Sequence, residues 1–200
     1  MARPREFDEA DVLDAAVRCF WGRGYEATSV RDLIGQTGIT GASLYNAFGD
    51  KRALYRKALD HYVTGSVDDR IRRCGALPPR EAIGAFFAEI VKRSLGDREH
   101  KGCMLVNAAL EMAPDEAELR ALVAGTLVRI ETFFRDRVAA GQADGTITQA
   151  LPADDLARHL LGMLMGVRVL ARVRPERALL EGAVAPALAL LAPRDGEAGA

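Results

Sequence analysis

Apolar residues recur along the chain with the spacing of α-helices rather than of β-strands. Near the start, Val17, Phe20 and Trp21 lie at positions i, i+3 and i+4, which places them on one face of a helix. No sustained alternation marks a strand, and Gly and Pro fall mostly between periodic segments. The pattern predicts an all-α protein. The predicted helices run from Asp8 to Arg23, Thr28 to Gln36, Thr40 to Phe48, Lys51 to Arg73, Arg80 to Leu95, Cys103 to Ala113, Asp115 to Ala140, Asp154 to Val173 and Pro175 to Leu191.

Three short helices separated by glycines open the chain. Thr28 is a predicted cap for the second helix, and Gly38 after its end tolerates a positive φ. Leu44 and Phe48 form the predicted inward face of the third helix. This arrangement meets the requirements of a helix-turn-helix, in which one helix fits the major groove of DNA and its predecessor braces it. The corner alone is weak evidence, because many helical proteins contain one.

Composition is that of an ordinary globular chain, with 49% hydrophobic residues, 28% charged residues and a net charge of -1. This charge argues against a surface that coats nucleic acid throughout, but it allows local phosphate contacts. No apolar secretory signal or membrane span is evident, so we expect a cytoplasmic location and no membrane partner. Cys19, Cys74 and Cys103 are odd in number and far apart, which favours reduced thiols.

Side chains with catalytic potential do not form a recognisable pattern. The sequence contains no nucleophile with an evident base, no phosphate loop of the Walker type and no cluster with metal-ligand spacing. We therefore assign no catalytic residue, no metal site and no cofactor, and we do not expect an enzyme.

The strongest functional signal lies between Thr28 and Leu54. There the chain reads TSVRDLI, then GIT, then SLYNAFGDKRAL, which closely resembles the signature of the TetR family of repressors. The resemblance covers roughly residues 8–57. It implies an all-α protein with a three-helix helix-turn-helix DNA-binding head, joined by a fourth helix to an α-helical ligand-sensing and dimerisation body. The expected domains are 1–57 for DNA binding and 58–193 for sensing and dimerisation, followed by a disordered tail at 194–200.

The resemblance also implies which residues contact DNA. They are Thr28, Arg31, Thr40, Gly41, Ala42, Ser43, Tyr45, Asn46 and Lys51. Asn46 is the best candidate for base reading, since a carboxamide can bond an adenine edge bidentately. Thr28, Arg31 and Lys51 would hold phosphates and set register. Gly41 departs from the family, whose members often carry a long polar side chain there, and it lowers helix propensity by roughly 1 kcal/mol relative to Ala.

A regulator of this type releases DNA in response to a signal. The predicted ligand-binding residues are Phe86, Cys103, Met104, Asn107, Glu111, Phe133 and Met163. Periodicity cannot separate a pocket from packing, so ordinary core positions are the alternative for the apolar members. Cys103 follows Gly102 at an expected helix start, where unsatisfied backbone N–H groups would make a thiol more reactive. Some TetR relatives sense electrophiles or oxidants with a cysteine near this position, and a small packing residue is the alternative.

The last two helices are expected to form a homodimer interface. Gly162 and Gly166 lie one turn apart and permit close helix approach. Apolar area would come from Leu160, Leu164, Val167, Leu180, Val184 and Leu188, for which burial within one subunit is the alternative. A dimer would also match the two-fold symmetry of palindromic operators.

These observations predict a ligand-responsive transcriptional regulator, and specifically a repressor. It would bind double-stranded operator DNA as a homodimer and be released by an unidentified small-molecule inducer or by thiol modification. The alternative is a helical small-molecule-binding protein or enzyme that does not bind DNA.

Overall fold

The computed structural model describes residues 7–111 and 116–193, and these residues form helices and connecting loops without any strand. The all-α prediction is therefore confirmed. The helices are α1 (Glu9–Arg23), α2 (Val30–Thr37), α3 (Gly41–Phe48), α4 (Lys51–Val63), α5 (Asp69–Gly75), α6 (Pro79–Gly96), α7 (Met104–Glu111), α8 (Ala117–Ala143), α9 (Ala153–Val173) and α10 (Arg177–Ala189), with a π-helical segment at Thr64–Asp68. The predicted tail at 194–200 lies outside the described residues. None of the described helices is long and apolar enough to cross a membrane.

The chain folds into two compact units that are not contiguous in sequence. The first, which we call the head unit, contains the chain up to Ser66 together with Cys103–Val123. The second, the body unit, contains Val67–Gly102 and the chain from Ala124 onward. The sequence pattern did not indicate that α7 and the first turns of α8 join the head unit.

Helices α1 to α4 and α7 build the core of the head unit. Helix α1 packs on α2 and α4, α3 packs on the same two helices, and α7 packs on α4. Phe20 of α1 meets Tyr55 of α4 edge-on, with ring centres 4.9 Å apart. Leu33, Leu44 and Phe48 are buried, as their helical spacing predicts. The short helices α2 and α3 are therefore held by apolar contacts rather than by their own propensity.

The body unit is centred on an aromatic cluster between α6 and α8. Phe86 and Phe87 of α6 face Phe133 and Phe134 of α8. The rings of Phe87 and Phe134 are nearly parallel with centres 5.7 Å apart, and those of Phe86 and Phe134 meet edge-on at 5.1 Å. Helix α6 also packs on α5, α9 and α10, so it is the central helix of this unit.

Glycine marks the helix ends less faithfully than the sequence pattern suggested. The predicted end of the long helix at Ala140, just before Gly141, is wrong, because α8 continues through Gly141 to Ala143. A Cβ on Gly141 would lie 2.6 Å from side-chain atoms of Ile147, so the glycine is there for close packing. The chain turns instead at Gly145, whose φ is +76°. Pro186 lies inside α10, which runs through it as one helix rather than two pieces.

Replacing Gly141 with Ala is expected to destabilise the protein. The added methyl would overlap Ile147, which is buried, and overpacking of this kind costs about 1–3 kcal/mol. Chemical denaturation would measure the loss. The matched control is Gly125→Ala in the same helix, where nothing lies within 4 Å of the new methyl and stability should rise. Equal effects of the two substitutions would contradict this packing.

Candidate nucleic-acid interface

The turn between α2 and α3 has the backbone geometry that a helix-turn-helix requires. Gly38 ends α2 in the left-handed conformation, with φ 72° and ψ 5°. Thr40 then caps α3 by accepting a hydrogen bond from the Ser43 N–H at 3.2 Å. Gly49 ends α3 with a positive φ of 87°. Two glycines and one threonine therefore fix both ends of the predicted recognition helix.

One face of α3 is buried and the other is open. Leu44 and Phe48 lie in the core of the head unit. On the opposite side Ala42, Tyr45 and Asn46 are exposed, and 45% of the Tyr45 surface is accessible. Positions 42, 45 and 46 follow the i, i+3, i+4 spacing of a single helix face. The exposed face is thus continuous and presents a hydroxyl and a carboxamide.

Gly41 occupies the first turn of α3, close to α2. A Cβ on this residue would lie 3.2 Å from Cδ1 of Ile34. A side chain at position 41 would therefore begin against α2 before reaching outward. What Gly41 can offer a phosphate is its backbone N–H, one of the unpaired donors at the helix start.

Thr28 does not have the position predicted for it. Its side chain is fully buried, and its hydroxyl donates to the Gly24 carbonyl at 2.6 Å. The cap of α2 is Ser29, which accepts from the Asp32 N–H at 3.1 Å while its own N–H donates to the Asp32 carboxylate at 2.9 Å. Thr28 is wrong as a cap, and its hydroxyl is committed to the loop rather than available to a phosphate.

The capping carboxylate of Asp32 also joins α1 to α2. Arg23, at the end of α1, donates to it at 2.6 Å. Hydrogen bonds from Ser29, with a smaller contribution from Arg23, lower the pKa of Asp32 below its ordinary value of 3.8. Because the folded state holds this proton more weakly, the stabilisation is present above pH 3.8 and is lost as the pH falls through the folded pKa.

Two cations lie in the first turns of α2 and α4, the helices before and after α3. Arg31 is exposed in the first turn of α2. Lys51 begins α4, and its amino group lies 4.4 Å from the centre of the Tyr25 ring and 3.5 Å from the Glu26 carbonyl oxygen. Lys51 is therefore held against the loop between α1 and α2, at the positive end of α4.

The predicted sensing residues of the head unit lie on α7 or directly before it. Met104 and Asn107 are buried. Cys103 is buried just before α7, and the Tyr62 hydroxyl donates to its sulfur at 3.6 Å. The Tyr62 ring in turn meets Trp21 of α1 edge-on, with centres 5.0 Å apart. The thiol therefore contacts a residue that packs on α1.

Glu111 contacts the loop between α1 and α2. Its carboxylate accepts a hydrogen bond from the Tyr25 N–H at 3.2 Å, in the loop between α1 and α2. A Cβ on Gly24 would lie 3.1 Å from the same carboxylate. Glu111 is exposed and one of its carboxylate oxygens is bonded within the head unit, so the role of Glu111 as a ligand contact stays a prediction without support from this geometry.

The predicted sensing residues of the body unit are mostly packed. Phe86 and Phe133 belong to the aromatic cluster, 5.4 Å apart, and Met163 on α9 is half-buried. A cleft of about 590 Å³ lies between α6 and α10, and another of about 470 Å³ lies between α5 and α8. Of the three residues, Phe133 alone lines one of these two clefts.

The predicted dimer residues divide into two groups. Leu160, Leu164, Val167, Leu180 and Val184 are buried within the chain itself, where α9 and α10 pack on α6, and Leu188 is half-buried beside the cleft between α6 and α10. Their prediction as interface residues is therefore wrong for the buried five. Gly162 and Gly166 are exposed, as are Val169 and Val173 on the same side of α9. The open face of α9 thus combines two glycines with two valines.

The other two thiols have no functional surroundings. Burial raises the pKa of Cys19 and of Cys74, which keeps both side chains in the neutral form. Among the described residues, His, Cys, Asp and Glu form no group of three that could hold a metal ion.

Two family models match most of the chain, and both describe the same kind of protein. Residues 12–58 match the family described as bacterial regulatory proteins, tetR family. Residues 79–186 match the tetracyclin repressor-like C-terminal domain. Together they cover both the helix-turn-helix and the body unit, so the alternative of a helical carrier or enzyme without DNA binding is excluded.

Individual relatives point the same way. The HTH-type transcriptional regulator YezE of Bacillus subtilis (strain 168) is 30% identical over 195 residues, covering 96% of this chain and all of that protein. The HTH-type transcriptional repressor ComR of Escherichia coli (strain K12) is 28% identical over 172 residues, and the match covers 85% of this chain and 82% of ComR. A cysteine mutant of the TetR family regulator CifR, solved with 26 bp double-strand operator DNA, is 34% identical with a TM-score of 0.83, covering 94% and 98% of the two chains. The chain therefore belongs to the TetR family of bacterial transcriptional regulators, which bind DNA and are not enzymes.

Proposed function

We propose that this chain is a repressor that binds a palindromic operator as a homodimer through the exposed face of α3. The observation that carries the proposal is the division of α3, with Leu44 and Phe48 anchored and Tyr45 and Asn46 free. ComR is named a repressor, which supports the repressor role. A CifR variant was solved on operator DNA, which supports operator binding.

Distinct contacts have distinct tasks in this proposal. Asn46 reads a base edge, with Ala42 beside it able to meet a thymine methyl. Ser43 and Tyr45 offer hydroxyls to bases or nearby phosphates, and Thr40, whose hydroxyl caps α3 and donates to Ser43 Oγ, fixes the start of the helix. Arg31, Lys51 and the backbone N–H of Gly41 hold phosphates and set the register of α3 in the groove. Thr28 is left out because its hydroxyl is buried.

The homodimer is proposed to form through the open face of α9. Gly162, Gly166, Val169 and Val173 are exposed there, and small residues let two helices approach closely. A second copy of the chain is the natural occupant, since a palindromic operator requires two heads related by a two-fold axis.

The mass of the protein–DNA complex tests the stoichiometry. Full-length protein mixed with DNA from upstream of its own gene should form a complex that contains two chains per operator. A discrete complex with a single chain per operator would contradict the homodimer, whereas absence of any specific complex would contradict the repressor role.

The release signal is proposed to be a small molecule or modification of Cys103. Its contact with Tyr62, which packs on Trp21, gives the thiol a direct connection to α1.

Treatment with N-ethylmaleimide is expected to weaken operator binding of the wild type by about 5- to 150-fold, the usual range of allosteric coupling. In this reaction the Cys103 sulfur bonds to one alkene carbon of the maleimide and the thiol proton passes to the other. Cys103→Ser should retain binding after treatment, while the control variants Cys19→Ser and Cys74→Ser should lose it. Equal loss in the wild type and Cys103→Ser would remove this thiol from the mechanism.

A further inference from the structure

Helix α9 carries a buried arginine on its inward face. Arg168 is 7% exposed, and Ser94 of α6, its neighbour, is 4% exposed. The Arg168 Nη1 group donates to the Ser94 hydroxyl oxygen at 3.2 Å. No carboxylate of residues 7–111 or 116–193 forms an ion pair with Arg168. The guanidinium is thus buried beside one neutral hydroxyl.

The chain gives the Arg168 guanidinium little compensation for its charge. A guanidinium stays protonated in proteins, so it cannot relieve burial by losing its charge. The Ser94 hydroxyl satisfies one of five N–H donors and supplies no negative charge. The inward face of α9 around it is apolar, with Val167 and Ala171 buried. A buried charge of this kind calls for a counter-ion.

Arg70 is the other arginine that is buried among the described residues of the body unit. Arg70 is 2% exposed, and its Nε lies 3.2 Å from the Glu89 carboxylate. Its guanidinium also rests over the Phe86 ring, 5.4 Å from the centre. The chain therefore supplies a carboxylate and an aromatic face to one buried arginine. Arg168 lacks the carboxylate.

A second cation lies one turn further along α9. Arg172 follows Arg168 at i+4, and like charges at this spacing repel. The Arg172 side chain begins beside Gly102. A Cβ added to Gly102 would lie 3.3 Å from the Cβ of Arg172. The negative end of α6 near Ser94 offsets part of the charge. It does not supply the paired acceptors that match a guanidinium.

We infer that Arg168, aided by Ser94, binds the carboxylate of a small-molecule inducer that has an apolar body. The inference rests on the proposed ligand response of the regulator and names the chemical class of ligand. A carboxylate fits the guanidinium fork with two parallel hydrogen bonds, and its charge supplies the missing counter-ion. The apolar neighbours of Arg168 favour a hydrocarbon or aromatic body.

Thermal unfolding of the full-length protein tests the inference. The probes are octanoate and benzoate, each paired with its neutral amide, octanamide and benzamide. At least one carboxylate should raise the unfolding midpoint of the wild type by about 3–5 °C at saturation, and neither amide should do so. Arg168→Met should abolish the shift, and Arg168→Lys, which keeps the charge without the fork, should reduce it.

The unfolding midpoint of Arg168→Met without ligand provides an independent readout. Replacing an unpaired buried charge with a side chain of similar length should raise the midpoint of the free protein by about 2 °C or more. The matched control is Arg158→Met on the same helix, where the arginine is exposed and already paired with Asp155; it should keep the carboxylate response.

Several results would overturn the inference. A lower midpoint for free Arg168→Met would make this residue a stabilising cap for α6. An equal shift in Arg168→Met, an equal shift with the amides, or no shift with either carboxylate would exclude carboxylate recognition. Operator binding by the wild type, measured in parallel, separates these outcomes from failure of the repressor role.

Discussion

Replacing Asn46 with Ala is expected to weaken binding to the specific operator by about 10- to 100-fold, the worth of one good carboxamide–base pair. The side chain is exposed in α3 beside Tyr45, and the core contacts of Leu44 and Phe48 remain intact. Stability should therefore change little, and a fluorescence anisotropy titration would measure the loss of affinity. The carboxamide-matched control is Gln149→Ala, an exposed residue of the body unit, which should bind as tightly as the wild type.

The pattern of loss distinguishes base reading from general attraction. Asn46→Ala should lower affinity for the operator while leaving affinity for unrelated DNA and the salt dependence unchanged. Lys51→Gln should instead weaken binding to both DNAs and reduce the salt slope by about one, because it removes a phosphate contact. An Asn46→Ala variant that loses affinity equally for both DNAs would assign Asn46 to the backbone.

Replacing Phe86 with Ala is expected to lower the free energy of unfolding by about 3–5 kcal/mol. Phe86 is almost fully buried and contacts three aromatic rings of the body unit, with centres 5.1 to 6.3 Å away. For a chain of this length the loss corresponds to a fall in Tm of roughly 10 °C, which differential scanning calorimetry would record.

The size of this effect separates a packed core from a ligand cavity. Val128→Ala on α8 is the control, since Val128 is 59% exposed and its loss should stay within about 0.5 kcal/mol. A cost below about 1 kcal/mol for Phe86→Ala would contradict the packed cluster and return Phe86 to the set of predicted ligand contacts.

Helix ends could be predicted only in part from the residue types. Asp8 caps α1 and Gly38 ends α2, as their residue types indicated. Thr28 and Ser29 are adjacent and have similar side chains, so the sequence could not tell which one would cap α2. The reciprocal bond with Asp32 decides for Ser29, and the Gly24 carbonyl holds Thr28 inside. Gly141 misled for a related reason, because a glycine that ends a helix and one that admits a neighbouring side chain look alike in sequence.

Helical periodicity identified the buried faces but not what they are buried against. The apolar stripe of α9 fits a dimer interface as well as it fits the core, and the structure places Leu160 and Leu164 in the core. The exposed glycines on the opposite face are the better indication of a partner helix. Glu111 was equally undecidable, since its contact with Tyr25 joins residues far apart in the chain.

The contact of Glu111 with the loop before α2 joins α7 to that loop within the head unit. Its carboxylate holds the Tyr25 N–H, and the Tyr25 ring supports Lys51 at the start of α4. Helix α7 therefore contacts the same loop that positions a proposed phosphate contact.

The central claim is that α3 reads a specific operator, and salt-dependent binding of the full-length protein tests it most directly. Affinity for DNA from upstream of its own gene and for a scrambled sequence of equal composition should be measured at several salt concentrations. Both affinities should fall as salt rises, while the operator remains at least about 1,000-fold preferred. Equal affinity for the two DNAs at every salt concentration would contradict the claim.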